Sequence, residues 1–286
     1  MFGAIASLML FGTISSLSVP SRTAEGMLLA VTPPAVSSRL QIGSSFSASG
    51  AIVVDMLSGK ELFAVDADAP RPMASLAKLM TAIVILETHD LSEIVTVPRS
   101  VLGVSGNVVG LQPGDRYTVR DLLAASLIAS ANDAAHVLAI EHSDSVELFA
   151  EEMNARALAL GLNKTTFTNP VGFDNPDQLS TPRELAWLSM YALKNDFIRS
   201  MASRSSVTIH DQAGRGPVTL YNTNRLISSH PEQFFGLKTG TTDAAGECLI
   251  SLTYNNGRPY LFVVLKSSDR YEDTLQLFDS LSHIAS

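Results

Sequence analysis

The chain has 286 residues, of which 46% are hydrophobic and 17% charged, so it can bury a sizeable core as one large domain or two packed lobes. The formal net charge of −8 and the lack of any lysine and arginine run argue against a nucleic-acid partner. The chain cannot form an intrachain disulfide, since its one cysteine is Cys248. No basic residue flanks Cys248 to activate its thiol, and we expect it to pack as a small apolar side chain.

The N-terminal stretch resembles an export signal. Residues 1–19 carry no charge, and residues 4–11 form an apolar run that is typical of a signal-peptide core. The run is shorter than the roughly 20 apolar residues of a spanning helix. The first basic residue is Arg22, so a basic leading region is missing, which leaves an upstream start, an uncleaved anchor or a disordered leader as alternatives. We assign residues 1–25 to a signal peptide or N-terminal anchor and the Pro- and Ser-rich residues 26–46 to a linker.

The folded domain is expected over residues 47–286 and begins with a hairpin and a helix. Residues 51–54 and 62–65 are strand-like runs on either side of a glycine turn. Good helix formers then run from residue 74 to about 88, which places Ser75 in the first turn and Lys78 on the same face. A serine hydroxyl needs a neighbouring base to become a nucleophile, and Lys78 can be that base. The pair alone is weak, because a chain of this length contains about one Ser-x-x-Lys by chance.

The middle of the chain is predicted to be mostly helical. An apolar helical pattern starts near residue 119 and is interrupted by the polar sequence Ser130-Ala131-Asn132-Asp133. A further helix spans about 145–160 and stops at Gly161, and Thr181 begins another as an N-cap followed by proline. These helices define a helical lobe over about 80–204.

The last third returns to strands, at residues 207–209, 235–240, 249–254 and 260–265, and ends with a helix over about 271–284. Because strands come from both ends of the chain, we predict an α/β (α+β) fold in which an antiparallel sheet is flanked by helices and carries an inserted all-helical lobe. A pocket is expected at the seam between the sheet and the lobe.

Three short motifs occur in a fixed order: Ser75-x-x-Lys78, Ser130-x-Asn132 and Lys238-Thr239-Gly240. This ordered set is typical of β-lactamases and penicillin-binding proteins. Over about residues 47–286 the sequence resembles the low-molecular-mass penicillin-binding proteins, specifically the serine-type D-Ala-D-Ala carboxypeptidases of peptidase family S11. The resemblance implies a β-lactamase/transpeptidase-like fold.

Two other segments partly match the second and third motifs but are less suitable as catalytic motifs. Ser105-Gly106-Asn107 also fits Ser-x-Asn, but it lies in a glycine-rich loop and lacks the Asp-Ala-Ala that follows Asn132. Lys164-Thr165-Thr166 lacks the glycine that would let a substrate lie against the strand. We therefore choose Ser130 and Lys238.

The resemblance implies catalytic roles for three residues. Ser75 would attack the carbonyl of the penultimate D-Ala to give an acyl-enzyme, with Lys78 as base and Ser130 passing a proton to the leaving amine. Lys78 must be neutral part of the time, which burial and the charge of Lys238 would favour.

Substrate binding is assigned in the same way. Asn132 would hold Lys78 and the substrate amide, while Lys238 and Thr239 face the terminal carboxylate. The backbone N–H groups of Ser75 and of Thr241, the residue after Gly240, would form the oxyanion hole.

A second carboxylate anchor is left open. The resemblance places Arg270 near the substrate tail, and the alternative is a surface arginine paired with Glu272 or Asp273. Some relatives carry a further arginine at the position that aligns with Thr223, and Arg225 lies two residues on.

Other polar and aromatic residues receive ordinary interpretations. No cofactor or metal is implied, because the histidines show no metal-ligand spacing, and we expect them to lie at the polar surface. They are His89, His136, His142, His210, His230 and His283. Trp187 is expected in the core of its helix.

The predicted function is removal of the terminal D-Ala from peptidoglycan stem peptides, with β-lactams as acylating inhibitors. The alternatives are a D,D-endopeptidase on peptidoglycan crosslinks, a β-lactamase and a non-catalytic penicillin-binding sensor. No clear Glu-x-x-Leu-Asn lies between Ser130 and Lys238, so slow deacylation is predicted. We expect an extracytoplasmic protein that is secreted or tethered only through its N-terminus, because no residues remain after the last helix for another domain or anchor.

Overall fold

The computed structural model describes residues 42–282, so the predicted signal peptide and most of the predicted linker lie outside the described residues. The strands are β1 Gly50–Asp55, β2 Lys60–Val65, β3 Arg71–Pro72, β4 Ile94–Thr96, β5 Arg116–Thr118, β6 Leu179–Ser180, β7 Ser206–Ile209, β8 Val218–Tyr221, β9 Phe234–Thr242, β10 Gly246–Asn255 and β11 Arg258–Ser267. The helices are α1 Lys78–Thr88, α2 Val119–Ile128, α3 Asn132–Ser143, α4 Val146–Ala159, α5 Pro182–Ala192, α6 Asp196–Ala202, α7 Leu226–Ser229 and α8 Arg270–Ser282. Two 3₁₀ helices span Ala74–Ala77 and Arg99–Gly103.

The main sheet has five antiparallel strands in the order β2-β1-β11-β10-β9, as the sequence predicted for strands from both ends of the chain. The hairpin between β1 and β2 turns at Gly59, and the one between β10 and β11 turns at Asn256 and Gly257, all three with positive φ. Strand β9 is at the edge of this sheet, beside the 3₁₀ helix Ala74–Ala77. This edge is where the Lys-Thr-Gly motif meets the Ser-x-x-Lys segment.

Alternate residues of the central strands face opposite sides of the sheet, as the two-residue period of a strand requires. Ile52 and Val263 belong to the larger hydrophobic core, together with helices of the inserted lobe. Val53 and Phe262 belong to a second core, together with Leu277 of α8. The sheet is therefore covered on both faces, and burial of these apolar side chains fixes its register.

Several helices in the middle of the chain begin where the sequence predicts, at side-chain caps. Thr118, Ser145 and Thr181 each accept a hydrogen bond from a backbone N–H in the first turn of the helix that follows. The apolar run after residue 119 divides into α2 and α3 at Ser130, as its polar interruption indicated. Within residues 42–282, no helix is long and apolar enough to span a membrane.

Some local predictions were wrong or absent. Trp187 is 47% exposed rather than buried, because α5 packs through Leu185, Leu188 and Ala192 on its opposite face. The short strand pairs β3–β6 and β4–β5 were missed, because runs of two or three residues carry no periodic pattern.

Candidate active site

Ser75 lies in a 3₁₀ turn that leads directly into α1. The residue before it, Ala74, has a φ of +49°, which a non-glycine residue rarely adopts. Two glycines enclose this strained turn: a Cβ at Gly172 would collide with the carbonyl oxygen of Ala74, and one at Gly240 would lie 3.0 Å from the backbone nitrogen of Ser75. The close approach of both glycines fixes the position of Ser75 against the edge of β9.

Lys78 is fully buried beside Ser75, and its Nζ lies 2.9 Å from the Ser75 Oγ. The same nitrogen donates to the Asn132 Oδ1 at 2.7 Å and to the carbonyl oxygen of Val171 at 2.6 Å. Burial, with a smaller effect from the positive charge of Lys238, holds the pKa of Lys78 well below its usual value, while the carboxylate of Asp133 opposes the shift. The geometry thus provides an amine that can lose its proton beside a serine hydroxyl.

The carbonyl of Val171 belongs to a loop that no motif in the sequence marked as part of the site. On α1, Thr81 is buried one turn beyond Lys78 and donates through its hydroxyl to the carbonyl of Pro170 at 2.7 Å. The Asn169 Oδ1 accepts from the backbone N–H groups of residues 171, 172 and 173 at 2.8–3.2 Å. The loop is therefore held rigidly from two sides, with its carbonyl groups directed at α1.

Ser130 lies in the turn between α2 and α3 with a φ of +58°, and Asn132 is the first residue of α3. The neighbouring Ser-Gly-Asn motif packs against this turn. Ser105 accepts a hydrogen bond from the Asn132 Nδ2 at 2.8 Å through its carbonyl, and the carbonyl of Asn107 accepts from the Asn132 N–H at 2.7 Å. The Ser105-Gly106-Asn107 motif therefore holds Asn132 in place through its backbone carbonyls. Ser130, and not Ser105, is the serine that bonds Lys238 of β9.

Asp133 holds the loop that carries the Ser105-Gly106-Asn107 motif. Its buried carboxylate accepts backbone hydrogen bonds from Val109 at 3.0 Å, Gly110 at 2.9 Å and Leu111 at 3.1 Å. One carboxylate thus satisfies three backbone N–H groups. Hydrogen bonds to a charged acceptor are stronger than those between neutral groups. Asp133 thereby connects the loop at 105–111 to the start of α3.

Lys238 on β9 is also buried, and its Nζ donates to the Ser130 Oγ at 2.8 Å and to the Thr239 carbonyl at 2.9 Å. Burial, assisted by the charge of Arg270, lowers the pKa of Lys238 to about 7. The Thr239 hydroxyl lies 2.5 Å from that of Thr223. The structure thus forms two hydrogen-bonded groups, one that joins Ser75 and Asn132 to Lys78 and one that joins Ser130 to Lys238. The two groups are close enough for the charge of Lys238 to lower the pKa of Lys78.

Arg270 is buried behind β9 rather than exposed with Glu272 or Asp273. Its guanidinium donates to the Gly240 carbonyl at 2.8 Å, to the Cys248 carbonyl at 3.0 Å and to the hydroxyl of Thr241. It also pairs with the Glu247 carboxylate at 3.0 Å. The surface alternative for Arg270 was therefore wrong, and the groups that accept hydrogen bonds from its guanidinium belong to β9 and β10.

Arg225 is exposed and lies over the ring of Tyr271, with its guanidinium carbon 4.7 Å from the ring centre. The Tyr271 hydroxyl donates to the carbonyl of Thr223 at 2.9 Å. Arg225 is thus held over the ring of Tyr271. It lies two residues along the chain from Thr223, whose hydroxyl contacts that of Thr239.

Cys248 is buried and two of the histidines lie near the surface, as the sequence indicated. Cys248 is fully buried, and burial raises the pKa of its thiol to about 11. His89 and His142 bond each other at 2.9 Å near the surface, and each also bonds a glutamate. Across residues 42–282, no group of three or more His, Cys, Asp or Glu side chains is arranged to hold a metal ion.

An antiparallel five-stranded sheet with an inserted helical lobe, and a buried lysine beside a serine at their junction, define a serine hydrolase with the β-lactamase/transpeptidase-like fold. Residues 35–269 match the D-alanyl-D-alanine carboxypeptidase family, peptidase S11, and the chain belongs to this family. The family comprises hydrolases of peptidoglycan metabolism that include penicillin-binding proteins.

Individual relatives differ in the activity that their names state. The chain is 30% identical over 235 residues to the D-alanyl-D-alanine carboxypeptidase DacF of Bacillus subtilis, covering 80% of this chain and 60% of that protein. It is 32% identical over 231 residues to a D-alanyl-D-alanine endopeptidase of Escherichia coli, covering 78% of this chain and 73% of that protein. The fold matches penicillin-binding protein D2 of Listeria monocytogenes in its ampicillin-bound form, with a TM-score of 0.73 and 32% identity over 83% of this chain and 98% of the other.

Proposed function

We propose that this protein is a serine-type D-Ala-D-Ala carboxypeptidase that removes the terminal D-Ala from peptidoglycan stem peptides through a Ser75 acyl-enzyme. One observation carries the proposal. The Lys78 Nζ has two carbonyl acceptors, from Asn132 and Val171, in addition to the Ser75 Oγ. A neutral amine has two hydrogens and one lone pair, so the two carbonyls take the hydrogens and the lone pair is left for the Ser75 hydroxyl.

The proton and electron path follows from these contacts. The Ser75 oxygen bonds to the carbonyl carbon of the penultimate D-Ala while its proton passes to Lys78. The bond from that carbon to the nitrogen of the last D-Ala then breaks, and Ser130, bonded to Lys238, delivers its proton to the leaving amine. The proton that Lys78 took from Ser75 then passes to Ser130, which restores the Ser130 hydroxyl and the neutral amine of Lys78. Water hydrolyses the resulting ester and frees Ser75. The backbone N–H groups of Ser75 and Thr241 would stabilise the oxyanion, which is typically worth about 10²–10³ in rate for one donor.

Recognition of a terminal carboxylate favours a carboxypeptidase over an endopeptidase. Lys238 is a buried cation, and its neighbour Thr239 carries a hydroxyl at the same end of the motif. We assign the substrate carboxylate to these two side chains. Arg270 then acts from behind the strand, where its bonds to Gly240 and Thr241 hold the edge against which the substrate lies.

The experiment that tests the proposal compares two substrates. Purified protein is incubated with a soluble stem pentapeptide ending in D-Ala-D-Ala and, separately, with crosslinked dimeric muropeptides. Release of free D-Ala from the pentapeptide, lost in Ser75→Ala, supports the carboxypeptidase. Conversion of dimers to monomers without D-Ala release would overturn it in favour of the endopeptidase.

A β-lactamase is the alternative that the site disfavours. Class A β-lactamases use a glutamate acting through a water to deacylate. Here the group that the 169–173 loop presents to Lys78 is the carbonyl of Val171, which cannot act as a base. We therefore expect β-lactams to acylate Ser75 and to leave slowly, so that turnover of a chromogenic cephalosporin many times per second would contradict the assignment. Failure of a fluorescent penicillin to label Ser75 would favour the non-catalytic sensor, whereas release of D-Ala that is lost in Ser75→Ala would exclude it.

We infer that the protein acts outside the cytoplasm, as its family does, and that residues 1–25 direct its export. Residues 47–286 are then the catalytic domain, with the helical lobe at about 80–204 inserted in it. Defining the mature N-terminus by mass spectrometry tests the export proposal. A cytosolic product that retains Met1 would overturn it.

A further inference from the structure

Phe173 presents an exposed ring from a rigid backbone. Its N–H donates to the Asn169 Oδ1 at 3.0 Å, and its carbonyl accepts from the Asn169 Nδ2 and the Gln178 Nε2, both at 3.2 Å. The residue is nevertheless 39% exposed. A single exposed apolar residue is ordinary on a protein surface, so its meaning depends on where the ring lies.

The ring lies at the mouth of the active site, on the side of Asn132. A Cβ built on Gly106 would be 2.8 Å from the Asn132 Nδ2 and 3.5 Å from the Phe173 Cε1. The carboxamide and the ring edge therefore flank the same glycine. Two residues earlier, the carbonyl of Val171 bonds Lys78, so the segment from 171 to 173 runs from the catalytic lysine to the mouth of the cleft.

Asp174, the residue after Phe173, ties the loop to the end of strand β9. Asp174 accepts from the Thr242 hydroxyl at 2.5 Å and from the Ala244 N–H at 3.1 Å. Thr242 is the last residue of β9 and lies four positions beyond Lys238. Strand residues advance about 3.3 Å each, so this end of β9 is more than about 10 Å from the lysine that would hold the carboxylate.

The cleft therefore has two chemically different ends. A buried ammonium marks the Lys238 end, and an exposed aromatic ring marks the end near Thr242. A substrate whose terminal carboxylate lies at Lys238 and whose scissile carbonyl lies at Ser75 extends its acyl-donor part toward the ring. The ring also lies beside Asn132, which would bind the substrate amide, and this position indicates the same direction for the acyl-donor part of the substrate.

We propose that Phe173 is a specificity-determining residue that forms the apolar wall of a subsite for the side chain on the acyl-donor portion of the substrate. The ligand chemistry is a hydrocarbon chain or ring attached next to the amide that Asn132 binds, such as the aliphatic chain of the residue before the two D-Ala residues. The inference rests on the proposed function, because it uses the same orientation of substrate. The ring binds by burial of apolar surface, and the rigid backbone of the loop keeps the ordering cost small.

The test compares acylation by two penicillins that share the 6-amido group and differ only in its acyl chain: benzylpenicillin, which carries a phenylacetyl group, and 6-acetamidopenicillanic acid, which carries an acetyl group. Second-order acylation rates are measured by intact-protein mass spectrometry for wild type, Phe173→Ala, Phe173→Leu and Leu158→Ala. Leu158 is an exposed apolar residue of α4 and provides the matched control. Nα-acetylated Lys-D-Ala-D-Ala and Gly-D-Ala-D-Ala give the corresponding comparison for peptide cleavage.

We expect Phe173→Ala to reduce the preference for benzylpenicillin over 6-acetamidopenicillanic acid by about tenfold, the size of a small apolar contact in a specificity pocket. Phe173→Leu should retain the preference within about threefold, and Leu158→Ala should leave it unchanged. Equal slowing of both probes in Phe173→Ala would show that the ring only supports the loop and would overturn the subsite. If neither probe acylates wild type, the proposed function itself fails, which is a different result from loss of selectivity.

Discussion

Replacement of Asp133 by asparagine tests how the site is held together. The carboxylate receives N–H groups of Val109, Gly110 and Leu111 on one side and that of Ala134 at 3.0 Å on the other. An asparagine keeps one acceptor oxygen, and its amide hydrogens then face backbone N–H groups that cannot accept them. Loss of one or two charge-assisted bonds, at about 1.5–3 kcal/mol each, should lower the free energy of unfolding by about 2–4 kcal/mol.

The Asp133→Asn substitution should also slow acylation of Ser75. The released loop carries the carbonyls of Ser105 and Asn107 that position Asn132, and Asn132 bonds Lys78. A displacement of about 1 Å can cost up to about 10² in rate, so we expect acylation by fluorescent penicillin to slow by about 10–100-fold. Thermal unfolding should shift down by roughly 5–15 °C for a domain of this size.

A matched control separates stability from positioning. Asp55 is a buried carboxylate that accepts N–H groups of Leu57 and Ser58 at the turn between β1 and β2, away from the edge strand β9. Asp55→Asn should lose comparable stability and acylate at the wild-type rate. If Asp133→Asn is destabilised and still acylates at the wild-type rate, the loop does not position Asn132 and the reasoning is refuted.

Further variants and conditions test the other parts of the site. Lys78→Arg, whose guanidinium stays protonated and cannot act as the base, should slow labelling by fluorescent penicillin by about 10²–10⁴, and wild-type labelling would exclude Lys78 as base. Lys238 has a pKa near 7 in the free protein, so its positive charge is present below that pH and lost above it, and kcat/KM for D-Ala release should fall as pH rises above about 7. Lys238→Arg should move this alkaline limb upward, and an unchanged pH–rate profile would argue against the carboxylate role. Gly172→Ala forces a Cβ against Ala74 at a positive φ and should lower the free energy of unfolding by at least about 2 kcal/mol in urea titrations. Arg270→Met leaves the carbonyls of β9 and β10 without their donor and should cost about 2–4 kcal/mol by the same measurement, whereas wild-type stability would mean that these bonds are dispensable.

The sequence predicted the parts of the site that local motifs carry. Ser75 and Lys78 share one turn, so their contact follows from helical geometry. Convergence with Ser130 and Lys238 followed from the ordered motifs and from strands at both ends of the chain, and the hydrogen bond between Ser130 and Lys238 spans 108 positions.

The sequence could not predict contacts that depend on backbone atoms or on distant partners. The bond from Lys78 to the Val171 carbonyl involves a backbone group that every residue carries, so no residue type marks it. Gly172 gave no signal because its role is to avoid a clash with a turn far along the chain. For Arg270 the sequence offered a place near the substrate tail or a carboxylate on its own helix, and neither pointed to the pairing with Glu247 on β10. Trp187 was assigned to the core from its type alone, although the positions of Leu185 and Leu188 place it on the outer face of its helix.

The central claim is that Ser75 becomes covalently acylated. Mass spectrometry of the intact protein after reaction with benzylpenicillin, followed by peptide mapping, measures this most directly. We predict a single adduct with the mass of the intact antibiotic on the peptide that contains Ser75, lost in Ser75→Ala and formed much more slowly in Lys78→Arg. An unmodified protein, or an adduct at any other residue, would contradict the account.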